Sequence, residues 1–149
     1  MCLLCPLDLN AAPRDGQVGV GIRLGEPTGL TGKVFLTPQH ALDAALSYSL
    51  RDSRIHMHGN YLIHFPKHGE TLAAGTWLPY VGLGASIRLK GEDSNNDRDN
   101  HLAARLPCGV SFFLTSSPLE IFMELAPNMG LIPHTRFGFD GGLGIRYLF

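Results

Sequence analysis

The chain ends in Gly144-Ile145-Arg146-Tyr147-Leu148-Phe149, a stretch in which apolar residues alternate with polar or small ones. The alternation extends back to Phe137, so one face is apolar and aromatic while the other is polar or small. A period of two is typical of a β-strand with one apolar and one wet face. The second face carries Asp140 and Arg146, and such charges are rare in ordinary protein cores. We therefore predict that the chain ends inside a sheet.

This ending resembles the terminal assembly signal of bacterial outer-membrane β-barrels. That signal is a glycine followed by aromatic residues at the third and fifth positions after it, the last being a terminal Phe. Gly144, Tyr147 and Phe149 fit the pattern, whereas Gly142 stands where the family more often has a polar residue. The resemblance implies that the barrel assembly machinery recognises the last strand.

The same alternation recurs along the chain in segments of about ten residues, as a transmembrane barrel requires. The predicted strands are Gln17 to Gly25, Gly29 to Thr37, Leu42 to Leu50, Ile55 to Phe65, Gly75 to Lys90, His101 to Thr115, Leu119 to Ala126 and Phe137 to Phe149. The third segment also satisfies a helical spacing after Thr37-Pro38, and a helix there would leave an odd number of strands. Pro107 must occupy a position where a ladder hydrogen bond is missing.

An all-β fold follows, an eight-stranded antiparallel up-and-down transmembrane β-barrel over residues 17–149. Residues 1–16 are expected to be the remnant of a signal peptide or a flexible segment, because residues 1–12 lack a basic region and are too short for a complete signal peptide. With both termini on the periplasmic side, four connections face outward, namely Glu26 to Gly29, Arg51 to Arg54, Gly91 to Asn100 and Pro127 to Arg136. The last two are the expected contact sites for a partner. The periplasmic connections are Pro38 to Ala41, Pro66 to Ala74 and Ser116 to Pro118.

The polar faces are expected to point into the lumen, and the apolar faces toward lipid. The predicted lumen charges are Arg23, Lys33, Asp43, Arg88, Arg105, Glu120, Glu124, Asp140 and Arg146. Aromatic girdles are predicted at Phe65, Trp77, Phe112, Tyr147 and Phe149 on the periplasmic side, and at Tyr48, Phe137 and Phe139 on the outer side. A soluble or periplasmic ligand-binding barrel, with its apolar face inward, would partition the charges in the same way and is the alternative.

Composition narrows the possibilities further. A formal net charge of −1 and a pI near 6.6 give no reason to expect a nucleic-acid partner. No apolar stretch of about 18 residues is present, which excludes a transmembrane helix but not a barrel. Cys2, Cys5 and Cys108 form no disulfide framework.

Two internal stretches carry a family resemblance. Gly25-Glu26-Pro27-Thr28-Gly29-Leu30-Thr31-Gly32-Lys33 and Pro118-Leu119-Glu120-Ile121-Phe122-Met123-Glu124-Leu125-Ala126-Pro127 resemble segments of a family of small bacterial outer-membrane β-barrel proteins of unassigned function. The resemblance implies a barrel of the size of the OmpA and OmpX membrane domains. It implies no activity.

An eight-stranded barrel has an interior that side chains fill, so an open pore is not expected. From the strand register we predict that Arg146 pairs with Glu120, Arg105 with Glu124, and Asp140 with Arg23. A gate that opens by exchanging these partners is the alternative to a static scaffold.

His56, His58 and His64 share one face of the fourth strand, but no further ligand is placed to complete a metal site. We expect hydrogen-bonded lumen histidines and no metal or cofactor. A lipid-modifying enzyme would need a nucleophile and a base on the lipid side, where the predicted residues are apolar, so no enzymatic activity is expected. The predicted function is that of a monomeric outer-membrane barrel with a structural or surface-interaction role, in contact with lipid and lipopolysaccharide.

Overall fold

The polypeptide folds into antiparallel strands that pair in a closed cycle. The computed structural model describes residues 13–26, 28–49, 54–90, 101–132 and 134–149. The strands are β1 (Val18–Glu26), β2 (Thr28–Phe35), β3 (His40–Ser49), β4 (Arg54–His64), β5 (Glu70–Leu72), β6 (Gly75–Lys90), β7 (His101–Arg105), β8 (Cys108–Leu114), β9 (Leu119–Ile132) and β10 (Phe137–Leu148). Within these ranges no helix is long and apolar enough to cross a membrane.

Strands β1 to β4 pair in chain order, β4 pairs with β6, β9 pairs with β10, and β10 pairs with β1 to close the barrel. β5 is a short hairpin arm on β6, and β7 and β8 together occupy one position between β6 and β9. The barrel therefore has eight strand positions, and the predicted fold class is confirmed. The segment that could have been a helix is strand β3, which pairs with β2 and β4 along its length.

The predicted sixth strand, His101 to Thr115, is wrong as a single element. It is interrupted at Leu106 and Pro107, and only its two halves are strands. Pro107 has no N–H to donate, but its carbonyl oxygen accepts a hydrogen bond from the Gly82 N–H at 2.7 Å. The Leu106 N–H binds the Pro127 carbonyl oxygen at 3.0 Å, so the ladder continues around the interruption.

The predicted outward loop Pro127 to Arg136 is also wrong over most of its length. β9 continues to Ile132, and its C-terminal part, from Asn128 onward, pairs with β7 and β10. In the predicted connection Pro66 to Ala74, the chain instead forms a 3₁₀ turn at Pro66–His68 and the strand β5. The predicted outward segment Gly91 to Asn100 lies outside the described residues, as do residues 1–12.

Burial follows the period of two, but with polarity reversed relative to a soluble protein. β4 alternates between buried and exposed residues, and its buried set includes His56, His58 and Asn60, while Met57 and Tyr61 are exposed. The same inversion holds for β9, where Glu120 and Glu124 are buried and Met123 is 62% exposed. The barrel thus has a polar interior and an apolar exterior.

We call the end of the barrel that holds Val18 and Leu148 the terminal end, and the other the distal end. Most of the buried apolar residues lie near the terminal end, while Ala45, Phe122 and Ala126 lie farther along the barrel. A buried cluster closes the lumen at the terminal end and consists of Phe35, Ala41, Leu62, Leu78, Tyr80, Phe113 and Leu148. The strand ends that meet at this level supply these residues, so the apolar cluster is a floor below the charged part of the lumen.

Candidate functional site: the charged lumen

Eight charged side chains are almost completely buried in the lumen. Four are cations and four are carboxylates, so their formal charges cancel. The cations are Arg23, Lys33, Arg105 and Arg146, and the carboxylates are Asp43, Glu120, Glu124 and Asp140. Each occupies an inward position of an alternating strand, which is why the period-two pattern located them. Arg88, the ninth predicted charge, lies nearer the distal end of the lumen, and 39% of its side chain is exposed.

The Glu120 cluster, formed by Lys33, Asp43, Glu120 and Arg146, lies nearer the terminal end. Glu120 Oε1 accepts a hydrogen bond from Lys33 Nζ at 2.7 Å, and its Oε2 lies 3.4 Å from an Arg146 nitrogen. Arg146 also contacts Asp43 at 3.0 Å. These contacts join strands β2, β3, β9 and β10 across the lumen, so they hold opposite walls of the barrel together.

Neutral side chains complete this cluster. Ser111 donates to Glu120 at 2.6 Å, Asn60 donates to Asp43 at 2.6 Å, and Thr31 Oγ1 accepts from Arg146 at 2.7 Å. The Arg146 guanidinium lies 3.8 Å from the Phe122 ring centroid. Hydrogen bonds of this kind are what make buried charges tolerable, because each remaining lone pair or proton finds a partner.

The Glu124 cluster, formed by Arg23, Arg105, Glu124 and Asp140, lies nearer the distal end. Glu124 Oε1 accepts from Arg23 at 2.8 Å and from Arg105 at 2.6 Å, and its Oε2 accepts from the Tyr80 hydroxyl at 2.9 Å. Arg105 also binds Asp140 at 2.7 Å. Arg105 therefore links the two carboxylates.

Two of the three predicted pairs, Arg146 with Glu120 and Arg105 with Glu124, are present. The predicted pair of Asp140 with Arg23 is wrong. Gly142 is the register partner of Glu124, and a Cβ at Gly142 would lie 2.5 Å from Arg23 Nε. Arg23 therefore passes over this glycine and reaches Glu124 two strands away, while Asp140 pairs with Arg105 and Arg88.

The three lumen histidines are buried but lie in different surroundings. His64 Nε2 is 3.0 Å from Lys33 Nζ, in the Glu120 cluster. The rings of His56 and His58 are 5.7 Å apart in the distal half, and both keep ring nitrogens without a hydrogen bond to a described residue. Over the described ranges no three side chains of the types that bind metals converge. The absence of a metal or cofactor stays a prediction.

The predicted girdle residues lie on the outer surface at two levels. At the terminal end, Trp77 and Phe112 are 4.6 Å apart, and Tyr147 and Phe149 are 5.0 Å apart, between ring centroids. Phe65 lies at the same end and Tyr48 at the distal end, where Phe137 and Phe139 are 76% and 82% exposed. Of the predicted assembly signal, Gly144 is buried against Phe122, while Tyr147 and Phe149 face outward.

Sequence reasoning did not assign roles to Tyr80, Thr31, Asn60 and Ser111, although all four bind lumen charges. Their signal was their position on the inward faces of predicted strands. It also missed Arg54 and Asn128, which lie near the distal mouth of the lumen. Arg54 was assigned to a loop, but it begins β4.

The fold class of this chain is a closed, eight-stranded antiparallel barrel with a charged interior and an apolar exterior. The comparison with solved structures agrees with this fold. The chain is similar to the crystal structure of the N-terminal β-barrel domain of Pseudomonas aeruginosa OprF, with a TM-score of 0.60 and 16% sequence identity. The likeness covers 92% of this chain and 100% of that one. No protein-family model and no curated protein matches the sequence.

Proposed function

We propose that this protein is an integral outer-membrane β-barrel whose lumen is closed by paired charges, with a structural or surface-interaction role rather than that of an open porin. The observation that carries the proposal is the inverted polarity of the barrel. Arg23, Glu124 and Arg146 are buried, whereas Ile22, Leu125 and Ile145 on the same strands are exposed. Contiguous apolar surface of this extent is unfavourable in water but suits hydrocarbon.

Several strands are long enough to span a membrane. β4, β9 and β10 have 11, 14 and 12 residues, and a tilted transmembrane strand needs about 9–11. Closure of β10 on β1 satisfies the backbone groups that an open sheet edge would expose to lipid. A soluble ligand-binding barrel would need the opposite arrangement, with the apolar face inward.

The proposal includes the partners and the location expected from the sequence. Outer-membrane lipid and lipopolysaccharide would contact the apolar band, and the barrel assembly machinery would recognise the strand that ends at Phe149. We expect a monomer that binds no nucleic acid. No observation on the described residues favours a lipid-modifying enzyme, and we do not propose one.

The protein refolded into detergent should migrate faster on a gel when unheated than when heated, and its far-ultraviolet circular dichroism should be β-rich. A closed membrane barrel stays folded in detergent until it is heated, and the compact folded form migrates faster than the unfolded chain. A monodisperse protein in buffer without detergent would contradict the proposal.

Removal of Phe149 should lower the amount of barrel inserted in cells but leave refolding in detergent unchanged if the last strand is an assembly signal.

Planar bilayers containing the protein should show no stepwise conductance. The interior is filled by side chains, and the apolar floor lies below the ion pairs. We also expect no stepwise conductance from Glu124→Gln, in which one carboxylate of the distal half is neutralised. Steps from Glu124→Gln but not from the natural sequence would instead indicate a gate, and steps from both would indicate an open pore.

A further inference from the structure

A polar cavity opens at the distal mouth of the barrel, above the Glu124 cluster. Its volume is about 200 Å³. This exceeds the ~10–15 Å³ that one water molecule needs, so the cavity has room for a polyatomic ligand. It lies between the distal ends of β4, β6, β7, β9 and β10, and its polar side chains are Arg54, Ser86, Arg88, His101, Asn128, His134 and Arg136.

The charges around this cavity are unbalanced, in contrast to those in the lumen below. Three arginines and two histidines line it, and no described lining residue is a carboxylate. Arg88 alone has an acidic partner among the described residues, Asp140 at 3.3 Å. Arg54 and Arg136 form no ion pair within the described part of the chain. The mouth therefore holds positive charge that the protein's described carboxylates do not neutralise.

The floor of the cavity presents buried polar groups that lack partners. Ser86 is 1% exposed and Asn128 is 7% exposed. Ser86 Oγ, Asn128 Nδ2 and Arg54 Nε make no hydrogen bond to any described residue. Leaving such groups unpaired costs about 1–3 kcal/mol each, so their presence together around one cavity points to an occupant that accepts hydrogen bonds.

We propose that this cavity, lined by Arg54, Ser86, Arg88, Asn128 and Arg136, binds a tetrahedral oxyanion of the phosphate class. An amide, a hydroxyl and an arginine nitrogen on the floor and walls would donate to its oxygens. Arginine suits this ligand because its planar donors match two phosphate oxygens at once. The phosphate group belongs either to a free ion or to a membrane lipid headgroup. The lipid source rests on the proposed function, since it requires this mouth to face a leaflet.

The test is calorimetric titration of the full chain in uncharged detergent with inorganic phosphate at low ionic strength. Heat of binding is expected from the natural sequence, with affinity at least about tenfold lower in the double variant Arg54→Gln/Arg136→Gln, because two charge-assisted hydrogen-bond partners are lost. Lys67→Gln removes one positive charge at the terminal end, in the 3₁₀ turn, and should bind as the natural sequence does. The full chain is used because residues 91–100, between β6 and β7, carry four carboxylates that could compete.

Absence of binding heat from the natural sequence would overturn the proposal. So would equal affinity in the natural sequence and the double variant, provided that both show the same heat-modifiable gel band. Asn128→Leu gives an independent reading, since it removes the floor amide and leaves every charge in place. A loss of affinity in Asn128→Leu supports a specific binding site. Unchanged affinity would indicate only a general attraction of anions to the arginines and would overturn the proposal.

The source of the phosphate group is distinguished by repeating the titration in the same uncharged, phosphate-free detergent with and without lipopolysaccharide. Binding that weakens when lipopolysaccharide is included assigns the site to a lipid headgroup, which then competes. Binding that is equal in both assigns it to a free phosphate ion. Phosphate binding in buffer by a protein that shows no heat-modifiable band would support the phosphate site and contradict the membrane function. The two proposals can therefore fail separately.

Discussion

Replacing Glu120 by glutamine is expected to lower the free energy of unfolding of the barrel by about 3–5 kcal/mol, the cost of leaving a buried charge without its partner. Glu120 is completely buried and accepts from Lys33 at 2.7 Å and from Ser111 at 2.6 Å, with Arg146 at 3.4 Å. Arg146 would keep Asp43, but Lys33 would lose the only carboxylate that it contacts among the described residues. Urea unfolding in lipid vesicles, followed by far-ultraviolet circular dichroism, measures the loss.

A double-mutant cycle separates the ion pair from general disruption of the lumen. Lys33→Met keeps the aliphatic stem and removes the charge. The double variant Lys33→Met/Glu120→Gln should be destabilised by about 0.5–3 kcal/mol less than the sum of the two single variants. Glu70→Gln makes the same substitution on the exposed strand β5 and should change stability by less than about 0.5 kcal/mol. Equal losses at Glu70 and Glu120 would show that the lumen pairs do not stabilise the barrel.

The sequence predicts the strands well where alternation is uninterrupted. β6 has the bounds that the pattern predicted, Gly75–Lys90, because its inward and outward residues differ in character along nearly the whole strand. The inward direction of the charges follows from the same pattern. Alternation is a local property, and these features depend only on which side of a strand each residue occupies.

The errors arise where a contact depends on residues distant in sequence. The pattern places Pro127 at the start of an outward loop, but its carbonyl oxygen accepts a hydrogen bond from the Leu106 N–H, at the point where β7 gives way to β8. Two prolines without N–H donors, Pro107 and Pro127, thus lie close to one interruption, and neither predicts the other's position. Likewise, the Arg23 partner depends on the empty space above Gly142, which becomes visible only when β1, β10 and β9 are aligned.

The inverted polarity of the barrel predicts that a charge placed on its outer face lowers the stability of the protein in a membrane. A charge placed there would meet hydrocarbon in the membrane, whereas on a soluble barrel it would meet water and cost little. Met123 is suited to the test because it is 62% exposed and lies on β9 between the outward residues Ile121 and Leu125. Its register partners, Val110 and Leu143, are also outward and apolar, so it lies within the apolar band.

Met123→Arg is expected to lower the free energy of unfolding in lipid vesicles by about 2–4 kcal/mol, the cost of arginine near the bilayer midplane on the lipid face of a barrel. Leu131→Arg is the matched control, since Leu131 lies on the same strand and is 48% exposed but is near the distal end, where the cost falls to about 0–1 kcal/mol. Urea unfolding of both variants in the same vesicles gives the difference. Because both substitutions add the same charge to an exposed position, a soluble barrel would be affected little and about equally by either. A difference between them requires a medium that changes with depth along β9, and equal stability of the two variants would refute a membrane-spanning barrel.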